Sequence, residues 1–113
     1  MIYLTAVHDA RPGSSFDATM RRPNAYTQHP AWGITELSFS TFNRIAKGDY
    51  VMFYNKGSII GVGSVSKTMV DRELSAKLWG TYTHKFKGTL FWSGIVLFSE
   101  YHDIAMPFKE VID

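Results

Sequence analysis

Lys47 to Val65, KGDYVMFYNKGSIIGVGSV, is the stretch whose reading decides the fold. Asp49 to Tyr54 is dense in aromatic and β-branched residues. Asn55-Lys56-Gly57 brings turn chemistry with a glycine free to take positive φ, and Ser58 to Val65 resumes the strand pattern. The segment therefore reads as a β-hairpin. Two strands alone are marginal in water, so the rest of the chain must close over the ribbon. Gly61 and Gly63 interrupt the second strand, where glycine gives up side-chain packing and permits a bend or the close approach of another group. A curved sheet follows, and curvature points to a small barrel.

On the N-terminal side, Ile2 to Val7 is a short apolar strand expected to be buried in the sheet. His8 to Ala31 then makes a long connection with three prolines, a helical turn over Phe16 to Arg22, and the cations Arg21 and Arg22. A connection of this length in a compact domain is usually functional, which places it beside a binding site. Trp32-Gly33-Ile34-Thr35 reads as a short extended piece. Ser38 or Ser40 then caps a helix through Thr41, Phe42, Ile45 and Ala46 that ends before Gly48.

On the C-terminal side, Asp71 caps a helix from Arg72 to about Leu78, closed by Gly80. Thr81 to Lys87 reads as a polar and aromatic loop, and Thr89 to Phe98, TLFWSGIVLF, as the most hydrophobic and central strand. Met106-Pro107 starts a final short helix over Phe108 to Ile112. Residues 1–113 thus form a single domain of the α+β class, a small curved β-barrel flanked by short helices.

Composition narrows the function. With 45% hydrophobic and 19% charged residues the chain is globular, and no apolar run reaches the length of a membrane span. The opening MIYLTAV has no basic leader and there is no cysteine, so a cytoplasmic protein without disulfides or thiolate metal sites is expected. The net charge of +2 is unevenly spread: residues 1–99 hold eleven Lys/Arg against six Asp/Glu, whereas residues 100–113 hold one against four. A basic body suits a polyanionic partner. The 15% aromatic content exceeds what a small core needs, which leaves rings available for stacking.

No P-loop, nucleophile elbow, zinc-protease or dinucleotide motif is present, so no catalytic residue, cofactor or metal is assigned. His8, His29, His84 and His102 lack ligand spacing, and His8-Asp9 beside Arg11 reads as a strand-end turn more readily than as an acid/base pair. The tryptophans carry more information. Trp32 and Trp79 each precede a glycine and each lie at the edge of a loop, which is poor core material. If their loops meet at one barrel mouth, the two indoles form facing walls of a slot for a planar ring. Trp92, inside the hydrophobic strand, is assigned to the core.

The order Trp32-Gly33, helix, GDYVMFY, turn, IIGVGSV, LWG and FKGTLFW resembles the PUA-like superfamily, particularly its EVE and YTH branches, over most of the chain from Tyr3 onward. The resemblance implies a barrel that reads a flipped, chemically modified base in an aromatic cage. Trp32-Gly33-Ile34-Thr35 matches the W-x-x-T element, Trp79 the second wall, and Tyr82 or Phe86 a third apolar wall, with the Gly33 backbone at the base edge. The family's K-S-x-x pattern near the first strand is replaced here by Ala6-Val7-His8-Asp9, which leaves the recognised base open. EVE-like modules of this kind are similar to the N-terminal recognition domains of McrB-type, modification-dependent restriction GTPases. That likeness implies a non-catalytic DNA-targeting domain cut from a longer chain, with an AAA+ GTPase domain in the same parent and no membrane partner.

Arg21, Arg22, Lys56, Lys85 and Lys87 are the expected phosphate contacts, with DNA favoured over RNA. Two other readings stand beside this one. The first is an RNA-binding PUA-like domain indifferent to modification. The second is an ASCH-like amidohydrolase acting on modified nucleosides, for which Thr35, Glu36 and Lys56 are the available groups.

Overall fold

The computed structural model describes residues 1–107, in which a five-stranded sheet curls into a half-barrel with a few short helices around it. The class is α+β, mostly strand. The strands are β1 (Ile2–Ala6), β2 (Ala31–Ile34), β3 (Tyr50–Asn55), β4 (Ser58–Val70), β5 (Thr81–His84), β6 (Gly88–Phe91) and β7 (Gly94–Pro107). Main-sheet order is β1-β3-β4-β7-β2, and β5-β6 form a separate two-stranded ribbon. Among the described residues no helix is long and apolar enough to cross a membrane.

The hairpin read from the sequence is β3 and β4, joined by a two-residue turn in which Lys56 (φ 50°) and Gly57 (φ 82°) both take the left-handed conformation. That mirror-image turn matches the twist of the flanking strands. The pairing shifts register between Phe53 and Tyr54, and the β4–β7 pairing between Ile59 and Gly61 and again on either side of Val65. Such irregularities sharpen the local twist and bend the ribbon. Gly61 and Gly63 are required by rings crossing from β7: a Cβ on Gly63 would lie 2.5 Å from Phe98 Cδ1, and one on Gly61 would enter the Tyr101 ring.

Several expected elements take a different form. The first strand is an edge strand, parallel to β3 alone, and Ile2 and Leu4 are exposed on its outer face. The expected long strand from Thr89 to Phe98 is broken at Trp92-Ser93 into β6 and the start of β7, and the expected loop from Thr81 to Lys87 is half of the β5–β6 ribbon. The helix before the hairpin is a 3-10 turn, Glu36–Ser38, followed by a short α1 (Phe39–Phe42); the Ser38 side chain makes no capping bond. Met106 and Pro107 end β7 instead of starting a helix, and the helix expected over Phe108 to Ile112 lies outside the described residues.

Helix α2 (Arg72–Trp79) forms as its caps require: Asp71 Oδ1 accepts from the Leu74 N–H at 2.9 Å, and Gly80 leaves at φ 75°. The strand β7 is hydrophobic on both faces because both are covered. Val96 and Phe98 join Phe16, Phe42, Val51 and Phe53 inside the curl, whereas Ile95 and Leu97 join Ala31, Leu74 and Trp79 under α2. The Met1 ammonium pairs with Asp49 at 2.9 Å and pins the start of β1 to the hairpin.

Candidate functional site

The main sheet does not close, and its two edge strands line the same cavity. This cavity, about 570 Å³, is bordered along one side by Tyr3 to Asp9 and along the other by Trp32 to Thr35, with Phe16, Trp79 and Trp92 around it. Its size lies within the range of small-ligand sites.

Hydrogen-bond alternation decides which backbone groups face the opening. The Phe98 N–H donates to the Pro30 carbonyl, so Trp32 and Ile34 are the residues of β2 that bond to β7, and the N–H and C=O of Gly33 are directed to the open edge. On β1, Met1 C=O accepts from Tyr50 N–H and Val7 N–H donates to Tyr54 C=O. The odd-numbered residues of β1 therefore face β3, and the backbone groups of Leu4 and Ala6 are left at the other open edge. Backbone donors and acceptors that take no part in the sheet ladder thus border the cavity from both edges.

The aromatic walls follow from packing. Trp32 meets Phe16 edge to face at 5.3 Å and 83°, and Phe53 at 6.2 Å and 85°, so its inner edge belongs to the core. Phe16, fully buried, ties the long connection to that core. Trp79 arrives from the other side of β2, at the end of α2, and donates its indole N–H to Thr19 Oγ1 at 3.3 Å. The Trp79 ring packs against Gly33, the residue after Trp32. A Cβ there would stand 2.8 Å from the Trp79 ring and 2.7 Å from Trp92 Cβ.

The expectation of two facing walls of a slot is corrected by this geometry. The rings of Trp32 and Trp79 stand at 78° with centroids 6.2 Å apart, so they form a corner, not a slot that sandwiches a ring. Thr35 and Gly33 do line the cavity. Tyr82 does not; it packs on Trp92 at 4.9 Å and backs that ring. Phe86 stands at the tip of the β5–β6 ribbon, 83% exposed. The wall that sequence reasoning assigned to the core is Trp92, half-buried and lining the cavity. The signal was present in Ser93-Gly94, a break in an otherwise apolar run.

The cations divide into two groups. Arg21 is engaged within the fold: its Nε donates to Asp103 at 2.8 Å and its Nη1 to the Ala10 carbonyl at 2.6 Å. Arg22 donates to the buried Asp17 at 3.0 Å, although its side chain stays largely exposed. The Gly13 N–H, then Arg22 and Arg21, hold the Asp17 carboxyl below the usual range. Lys56 sits at the β3–β4 turn, while Lys85 and Lys87 flank Phe86; among the described residues none of the three lysines forms an ion pair.

At the mouth, Asp9 accepts both the Nε and Nη2 of Arg11 at 3.0 Å, and that hydrogen bonding lowers its carboxyl to about 2. Glu36 is clamped by Arg72 through bonds of 2.9 and 3.1 Å and is likewise held below its ordinary range. Both carboxylates are therefore poor proton acceptors at neutral pH. Among the described residues no group of three His, Asp or Glu side chains is placed to hold a metal.

Comparison of the chain with protein-family models, with curated proteins and with solved structures finds no match.

Proposed function

We propose that this domain is a non-catalytic recognition module in which a swung-out, modified nucleobase enters the cavity between β1 and β2. One arrangement carries the reading: three indoles, Trp32, Trp79 and Trp92, line a cavity whose two rims carry backbone N–H and C=O groups, at Gly33, Leu4 and Ala6, that take no part in the sheet ladder. A nucleobase has the matching character, with a π face for stacking and an edge of alternating donors and acceptors. Base extrusion costs a few kcal/mol of stacking and pairing, which contact with aromatic walls offsets. A methyl group against an indole adds about 0.8 kcal/mol, so discrimination on that group alone is about four-fold and further selectivity must come from the backbone edge.

The likeness of the chain to EVE and YTH domains of the PUA-like superfamily supports the same reading, and with it a place in a McrB-type restriction system acting on DNA. A basic body, with Lys56, Lys85 and Lys87 in no ion pair among the described residues, suits the phosphate backbone of the partner. The clamped states of Asp9 and Glu36 weigh against the amidohydrolase reading, which needs an available base at the cleft.

The test is a binding titration with duplexes that each contain one methylated or hydroxymethylated base, repeated with RNA and with unmodified controls. Tighter binding to one modified DNA supports the module. Equal binding to modified and unmodified RNA with weak DNA affinity supports the RNA-binding reading instead.

A further inference from the structure

We infer that the tip of the β5–β6 ribbon is a wedge, with Phe86 entering the base stack of a duplex at the gap left by the extruded nucleotide. The inference rests on the cavity reading above and adds a second point of contact to it. Phe86 is the most exposed large apolar residue of the described chain, at 83%. It sits in a three-residue tip, Lys85-Phe86-Lys87, between the paired residues His84 and Gly88, and Gly88 supplies the positive φ that closes the turn.

The tip is held in shape. The Phe86 N–H donates to His84 Nδ1 at 3.1 Å, and Lys85 Nζ lies 5.5 Å from the Phe86 ring centroid. The ribbon springs directly from the cavity walls: β5 begins two residues after Trp79, and β6 ends at the residue before Trp92. Tyr82, packed at a tilt on Trp92, fixes the root. Four residues of strand place the tip roughly 13 Å from that root, a separation suited to spanning from an extruded base to the stack it has left.

The chemistry of the tip favours nucleic acid over a bilayer. From Gly80 to Ser99 the chain has no acidic residue, and the two lysines bracket one ring instead of a cluster of apolar groups. Threonines, not hydrophobic residues, fill the neighbouring exposed positions 81, 83 and 89. A single ring between two cations matches an apolar wedge between two phosphates.

The experiment compares wild type, Phe86→Ala, Phe86→Trp and Trp32→Ala. The probes are DNA carrying one N6-methyladenine, 5-methylcytosine or 5-hydroxymethylcytosine, each as a duplex with 2-aminopurine next to the modified base and as the single strand. A wedge predicts that Phe86→Ala lowers duplex affinity about ten-fold, in line with the removal of one stacked ring, and reduces the 2-aminopurine signal. It also predicts unchanged single-strand affinity and recovery with Phe86→Trp. Equal loss on duplex and single strand, or no loss on either, overturns the wedge while leaving the cavity reading intact. If wild type prefers no modified base in either form, the cavity reading itself has failed. Phe86-dependent binding to phosphatidylserine vesicles without an effect on DNA overturns the wedge in favour of a membrane contact. Phe86 packs in neither hydrophobic cluster, so the folding of the two Phe86 variants is not at issue.

Discussion

The indoles of Trp32 and Trp79 meet edge to face, 78° apart with centroids separated by 6.2 Å, although they belong to opposite faces of β2. Gly33, next to Trp32 in β2, leaves the Trp79 ring its place, since a Cβ there would stand 2.8 Å from that ring. The corner the two indoles make, extended by Trp92, is the feature on which the functional account depends, and each of its parts has a separable consequence.

Replacing Trp32 by Ala removes one wall and also a ring packed on Phe16 and Phe53. The variant should lose its preference for a modified base and also about 2–4 kcal/mol of stability, less than a fully buried tryptophan would cost. Denaturant unfolding measures the second effect and a titration the first. Trp32→Phe, which keeps an aromatic face, should retain part of both.

Gly33→Ala asks whether the corner itself matters. The added methyl would press on Trp79 and Trp92, so overpacking should cost about 1–3 kcal/mol and push the indoles apart. Binding of the modified base should fall by more than the stability loss explains at temperatures where the variant remains folded. Unaltered affinity in a folded Gly33→Ala protein would remove the meeting of these rings from the account.

Lys85 and Lys87 are free of ion pairs among the described residues and stand on the ribbon that roots beside the cavity. Their joint replacement by Ala should weaken binding to modified and unmodified DNA alike. It should also reduce the slope of log affinity against log salt by about 2, one for each phosphate no longer neutralised. A loss confined to modified DNA would contradict the phosphate role. Arg21→Ala, by contrast, should act mainly on stability, because its guanidinium is engaged by Asp103 and the Ala10 carbonyl.

Asp17 sets an acid limit on the long connection. Its carboxyl is held below the ordinary range by the Gly13 N–H, Arg22 and Arg21, so its folded-state pKa lies under the unfolded value of about 3.9. The stabilisation is therefore complete above the unfolded pKa and is lost as pH falls through the folded one. Thermal unfolding followed downward from about pH 5 should show Asp17→Asn less stable than wild type at the upper end, with the gap narrowing as the pH drops. A constant gap across that range would assign the effect to hydrogen bonding alone.

The main hairpin was legible because every local signal agreed: β-branched and aromatic runs, a glycine turn, and glycines where rings cross. Asp71 and Gly80 marked α2 for the same reason. The edge position of β1 was not legible, since Ile2 and Leu4 look like core residues and their exposure depends on which strand lies beyond them. The β5–β6 ribbon was hidden because its strands are only four residues long and its tip, HKFKG, has the composition of a loop. At the site, the unusual pairing of indoles with glycines pointed to Trp32 and Trp79, and the resemblance to a W-x-x-T element pointed to Gly33 and Thr35. The sequence could not place Trp92, whose run of apolar neighbours hides the break at Ser93, nor foresee that the rings meet at nearly a right angle, which is set by Gly33 and the approach of α2.

The most direct measurement is a ¹H–¹⁵N spectrum of the domain, with the three indole N–H signals assigned, recorded as a duplex carrying a single modified base is added. The account predicts that the Trp32, Trp79 and Trp92 indoles and the Gly33 amide shift together and saturate with the modified duplex. The unmodified duplex should move only signals near the lysines. Saturable binding of the modified duplex that leaves all three indoles and Gly33 in place would contradict it.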